Sequence, residues 1–133
     1  MVNKKLLLII GIAVITLTGI ILLVEISDVW VLSSDEFSEL IQNENVFVIN
    51  AHTPYYGEIE GTDLIAENWE NMKYYAEQLP KDKNTSIAIY CRSGAMSEVA
   101  SKQLAEMGYK NIYDLKGGMN SWQQGGRKII NEE

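Results

Sequence analysis

Cys91 is the one cysteine in 133 residues, and His52 is the one histidine. A single thiol forms no internal disulfide, and one Cys with one His cannot make a zinc cluster. A Ser-His-Asp hydrolase would have to be built on His52. The thiol is the better candidate for chemistry. It stands in Ile87-Ala88-Ile89-Tyr90-Cys91-Arg92-Ser93-Gly94-Ala95-Met96-Ser97, which reads as strand, then polar loop, then helix. A cysteine at the carboxyl end of a strand lies where open α/β sheets place their ligands. Backbone N–H groups of such a loop can converge on one point and, with the helix dipole, form an anion cradle. A thiol held there reacts as its thiolate. Gly94 lets the loop turn tightly, and Arg92 adds a positive charge at the mouth. The competing reading of Cys91 is a small buried hydrophobe, against which its polar, turn-forming neighbours argue. Arg92 can also be read as a solvated surface residue. Ser97 reads as the N-cap of the helix rather than as a catalyst.

The elements that would position this loop alternate. Val29-Trp30-Val31-Leu32 is a short apolar run. Ser33-Ser34-Asp35-Glu36 is a capping box with Ser33 as N-cap and Glu36 at N3, and Phe37, Leu40 and Ile41 share a helical face behind it. Val46 to Ile49 is a second strand, followed by a polar loop from about Asn50 to Ala66. Trp69, Met72, Ala76 and Leu79 mark a helix ending before Pro80. Ile87 to Tyr90 is the third strand. Val99, Ala100, Leu104 and Met107 line a helix stopped by Gly108. Ile112 to Leu115 is the fourth strand, and Gly117-Gly118 leads into a last short helix around Trp122. Apolar strands need cover on both faces, and the intervening helices supply it. The fold class is therefore α/β with a mainly parallel central sheet, in one domain over residues 29–133.

Eleven Lys and Arg against eighteen Asp and Glu give a formal net charge of −7. Two of the cations, Lys4 and Lys5, are at the extreme N-terminus, so nothing basic is clustered to neutralise a phosphate backbone and no nucleic-acid partner is expected. Leu6 to Val24 is an uncharged, almost wholly apolar run. At about 1.5 Å per residue it nearly spans a hydrocarbon core of about 30 Å. A cleaved signal has a shorter apolar stretch and a small-x-small cleavage site; Glu25-Ile26-Ser27-Asp28 offers none. The expectation is a cytoplasmic N-terminus at 1–5, a transmembrane anchor at 6–24 and a linker at 25–28. The domain is then extracytoplasmic by the positive-inside rule, with secretion after cleavage as the alternative.

Three segments together resemble a single-domain rhodanese, a sulfurtransferase module, over about Val29 to Gly126. Cys91-Arg92-Ser93-Gly94-Ala95-Met96-Ser97 is similar to the family's six-residue active-site loop. Leu115-Lys116-Gly117-Gly118-Met119-Asn120-Ser121-Trp122 resembles its closing Gly-Gly-x-x-x-Trp signature, and Gly57-Glu58-Ile59-Glu60-Gly61-Thr62 its Gly-His-Ile-x-Gly-Ala. The resemblance implies a three-layer fold and ping-pong nucleophilic catalysis. Cys91 would take a sulfane sulfur from a small donor such as thiosulfate and pass it to cyanide, a thiol or a protein acceptor. The N–H groups of Arg92 through Ser97 would stabilise the anion, Arg92 would help hold the donor, and no cofactor is implied.

The departures are specific. Asn50-Ala51-His52 stands where many members have Asp-x-Arg, Ala95 where the family often has Arg, and Glu58 for the common His. His52 reads first as structural or solvent-exposed. Tyr55, Tyr56, Tyr74, Tyr75 and Trp69 fill the core or cover the loop. The altered residues leave a second reading: a sulfur-carrying or interaction module of the same fold with little thiosulfate turnover. A cysteine-loop phosphatase or arsenate reductase needs an arginine where Ser97 stands.

Overall fold

The computed structural model describes residues 28–131. The Leu6–Val24 run and most of the 25–28 linker lie outside them. No helix among the described residues is long and apolar enough to cross a membrane. The elements are β1 (Asp28–Leu32), α1 (Ser34–Leu40), β2 (Phe47–Asn50), β3 (Leu64–Ile65), a 3₁₀ turn (Met72–Tyr75), β4 (Ser86–Tyr90), α2 (Ala95–Glu106), β5 (Asn111–Leu115) and α3 (Gly118–Gln124). All neighbouring strands run parallel, in the order β1-β5-β4-β2-β3. The expected parallel α/β fold is therefore observed. Asp28, assigned to the linker by sequence, already pairs with Asn111 in the sheet.

Successive residues of β4 point to opposite faces, and each face has its own core. Ile87 and Ile89 pack with Ala100 and Leu104 of α2 and with Met72 and Tyr75. Ala88 and Tyr90 pack with Phe37 of α1 and with Met119 and Trp122 of α3. Cys91 leaves the sheet between these two layers, flanked by β2 on one side and β5 on the other.

The predicted caps form. The Ser33 amide donates to Glu36 Oε2 at 2.9 Å and the Glu36 amide to Ser33 Oγ at 3.3 Å. α2 ends in a Schellman motif: Gly108 (φ 96°) donates to Ala105 and Tyr109 to Leu104. Two expectations need correction. The helix expected around Trp69 to Leu79 is only the 3₁₀ turn and the bends after it. The Gln103 side chain takes the Trp69 carbonyl and the Met72 amide, each at 2.9 Å, so these groups do not enter a helical ladder. The two-residue β3, hidden in the expected loop, is too short to carry a periodicity of its own.

Candidate active site

Tyr90 ends β4 fully buried, and its hydroxyl organises the loop that follows β2. It accepts from the Ile59 amide at 2.8 Å and bonds the Thr62 hydroxyl at 2.7 Å. The Thr62 amide closes a turn on the Ile59 carbonyl, and Gly61 (φ 90°) occupies the left-handed position that this turn requires. Burial pushes the Tyr90 phenol well above its ordinary value, so the group stays neutral. The sequence motif around Gly57 to Thr62 is thus a clamp on the strand that delivers Cys91.

Cys91 is 1% exposed. The Gly94 amide donates to its Sγ at 3.0 Å. Gly94 has φ 104° and is itself the N-cap of α2. That left-handed turn brings the amide back to the sulfur, and the chain is helical immediately afterwards. Ser97 is therefore not the cap. It lies in the first turn of α2, fully buried, and its hydroxyl donates to the Gly94 carbonyl at 3.3 Å. Of the expected N–H cradle from Arg92 through Ser97, the Gly94 amide is the group that meets sulfur among the described residues. Arg92, Ser93 and Ala95 are exposed, and Met96 is half-buried.

Gly117 and Gly118 allow α3 to close on the same loop. The Met119 amide donates to the Cys91 carbonyl at 2.9 Å and the Asn120 amide to the Arg92 carbonyl at 3.0 Å. Gly118 has φ 57°, and a Cβ there would collide with the Cys91 carbonyl oxygen and come within 2.7 Å of the Arg92 carbonyl. Only glycine fits this approach.

On the β2 flank, fully buried Asn50 donates to the Gly57 carbonyl at 2.9 Å and accepts from the His52 amide at 3.0 Å. The amide thus holds the loop without an ion pair. The His52 ring meets Tyr56 edge to face, with centroids 6.5 Å apart. The Arg92 guanidinium lies 4.4 Å from the centroid of the same tyrosine. Burial and then the Arg92 charge lower the His52 pKa, favouring neutral imidazole.

On the β5 flank stands a residue that sequence reading did not single out. Asp114 is 6% exposed, and its Oδ1 is buried without a hydrogen-bond partner among the described residues. Burial pushes its carboxyl up to about 6, opposed by the neighbouring Ser97 hydroxyl and helped by the Glu98 charge. Asp114 lines an open hollow of about 490 Å³, together with Val29, Val31, Ser93, Gly94 and Glu98. Cys91 does not line it. No signal in the sequence marks Asp114, because an acid within a strand is ordinarily read as solvent-facing.

Known proteins place this geometry. The model of the rhodanese-like domain matches residues 33–125. A sulfurtransferase of Allochromatium vinosum is 31% identical over 106 residues, which are 77% of this chain and 95% of that protein. A tRNA uridine(34) hydroxylase of Picosynechococcus is 31% identical over 91 residues, 63% of this chain but only 30% of the relative, so the chain spans less than a third of that protein's length. A rhodanese-related protein from Thermoplasma volcanium superposes with a TM-score of 0.63 at 22% identity, over 77% of this chain and 99% of that one. The loop around Cys91, the Gly118 contact and these matches agree, and the chain belongs to the rhodanese-like domain family.

Proposed function

We propose that the protein is a sulfurtransferase that moves sulfane sulfur from a small anionic donor such as thiosulfate to a thiophilic acceptor through a persulfide on Cys91. The observation that carries this reading is the Gly94 amide on Cys91 Sγ at 3.0 Å, at the end of a buried strand. A donor N–H on the sulfur stabilises the negative charge that Sγ carries as it attacks the donor and as it is released to the acceptor. The Cys91 thiolate attacks the outer sulfur of thiosulfate, the S–S bond breaks, and sulfite leaves with the electron pair. Cyanide or a thiol then takes the outer sulfur and returns Cys91 to the thiolate. Arg92 offers the donor a forked cation in an otherwise acidic protein. The test is thiosulfate:cyanide transfer by wild type and by Cys91→Ser. The variant should lose all activity; substantial residual activity would refute the mechanism. A wild type that carries sulfur yet needs a protein to load or unload it would instead be a sulfur carrier.

Placement outside the cytoplasm, on the Leu6–Val24 anchor, is part of the same proposal and is supported by Lys4 and Lys5 before that run. Protease protection of the domain in intact cells, or release of the protein by alkaline carbonate, would overturn it.

A further inference from the structure

His52 is 9% exposed, neither ring nitrogen has a hydrogen-bond partner among the described residues, and neither is buried away from solvent. The nitrogen-bearing edge of the ring is therefore open to an arriving molecule. Here the bonded group is the backbone: the His52 amide is held by Asn50 Oδ1 at 3.0 Å. The ring meets Tyr56 edge to face. Its place follows from the sheet. Asn50 pairs with Tyr90, and the Ala51 amide donates to the Tyr90 carbonyl at 2.7 Å. The chain leaving β2 therefore carries His52 past the end of β4, alongside the Cys91–Arg92 turn. Arg92 and His52 share Tyr56 as a neighbour.

We propose that His52 is the base of the second half-reaction, removing the proton of a thiol acceptor as its sulfur attacks the Cys91 persulfide. This rests on the persulfide reading given above. The attacking species is a thiolate, whereas an ordinary thiol at neutral pH is mostly protonated. The acceptor R–SH gives its proton to the imidazole, and its sulfur bonds to the outer sulfur of the persulfide anion Cys91–Sγ–S⁻. The Sγ–S bond breaks with its electron pair on Sγ. The products are R–S–S⁻, the Cys91 thiolate and protonated His52, which releases its proton to water or to the new persulfide. The outer sulfur changes carrier, and no external oxidant or reductant is needed.

The surroundings suit a base rather than a fixed cation. The charge acting on His52 is that of Arg92, and with burial it favours the neutral ring. On its own loop Glu58 accepts from the Tyr55 hydroxyl and Asp63 from the Val48 amide, while Glu60 is exposed. No carboxylate acts to hold the imidazole protonated. A water-soluble triarylphosphine takes the outer sulfur through its phosphorus lone pair and has no proton to give up, so a thiol and a phosphine acceptor separate the chemistry of His52 from any effect on the loop.

The experiment uses the full chain, treated with thiosulfate, freed of donor and weighed by mass spectrometry. Sulfur transfer is then followed in a single turnover to dithiothreitol and, separately, to the triarylphosphine. His52→Gln should load sulfur normally and transfer to the phosphine within about twofold of wild type. Transfer to dithiothreitol at neutral pH should fall by about a hundredfold, as for loss of a general base. Wild-type transfer to the thiol should rise with pH through an ionisation below the ordinary histidine range, and the variant should lack that step. Equal losses with both acceptors, or an unchanged thiol rate, would overturn the assignment while leaving the persulfide standing. A wild type with no added sulfur would overturn the sulfurtransferase reading itself and this inference with it. If His52→Gln does not fold, the wild-type pH profile decides alone: absence of that low ionisation from the thiol reaction refutes the proposal.

Discussion

Asn50 and Asp114 lie on the two strands that flank the carrier of Cys91, and they meet burial in opposite ways. Asn50 closes β2 fully buried, with its amide donating to Gly57 and its oxygen accepting from His52. Asp114, in β5, pairs with Ile89 across the sheet and keeps one carboxyl oxygen without a partner among the described residues. A neutral amide with both ends used fixes a loop at little electrostatic cost. A carboxyl in the same depth of protein loses hydration whenever it ionises. The β2 flank thus presents His52, Tyr56 and Arg92 on a rigid support. The β5 flank stores a destabilising charge beneath Ser97 and Gly94.

The largest expected effect removes the contact that holds the loop between both flanks. Gly118→Ala forces α3 away from the Cys91 and Arg92 carbonyls. Two backbone hydrogen bonds of about 1 kcal/mol each are lost, and a left-handed alanine adds about 1 kcal/mol more. Urea unfolding should register a loss of about 3 kcal/mol. Persulfide formation should slow at least a hundredfold, because the Gly94 amide no longer meets Sγ in the same geometry. Wild-type kinetics in a folded Gly118→Ala would show that α3 does not position the loop.

Next in size, Asp114→Asn should relieve the β5 flank. The folded carboxyl titrates at about 6, above its ordinary 3.8. The folded state therefore binds the proton more tightly than the unfolded chain does, and its stability falls as pH rises through that window. At roughly 1.4 kcal/mol per unit, the penalty is on the order of 2–3 kcal/mol, absent below the unfolded value and complete above the folded one. Asp114→Asn should gain that amount at pH about 7.5 and little at pH about 3.5, read by urea midpoints at both. A gain equal at the two pH values would mean that shape, not charge, is responsible.

These two residues also mark how far the sequence could be read. The Cys91 loop, the capping box at Ser33 and the Gly108 stop were legible because each depends on neighbours within a few residues. Gly118 was legible as part of a motif, but its reason was not: its constraint comes from carbonyls about 26 residues earlier, brought close only by the sheet order. Asp114 was invisible for the same cause, since its burial is made by α2. The missing helix near Trp69 failed on a single distant side chain, Gln103, which takes its backbone groups. Ser97 was misread as a cap because Gly94, without a side-chain oxygen, begins the helix three residues sooner.

A smaller effect tests the cation of the β2 flank. Arg92→Ala removes the one charged side chain of the Cys91–Ser97 loop and should raise the apparent KM for thiosulfate about tenfold, the loss of one charge-assisted contact. Salt should then weaken donor use less than in wild type. Kinetics indistinguishable from wild type would make Arg92 a surface residue only.

The smallest effect asks whether Tyr56 organises that flank or merely covers it. Its ring holds the Arg92 guanidinium at 4.4 Å and the His52 ring at 6.5 Å. A cation over an aromatic face at a half-exposed site contributes about 0.5–1 kcal/mol. Tyr56→Leu keeps an apolar side chain but removes the ring's negative face, so Arg92 samples more rotamers before it meets a donor. The KM for thiosulfate should rise about two- to fivefold with kcat nearly unchanged, since the Gly94 amide on Cys91 is untouched. Tyr56→Phe retains the ring and should behave as wild type, because the contacts to Arg92 and His52 are made by the ring rather than the hydroxyl. Combining Tyr56→Leu with Arg92→Ala should add nothing to the donor KM of Arg92→Ala, as expected of a residue that acts through its neighbour. Additive losses would instead mean that the Tyr56 ring meets the donor directly.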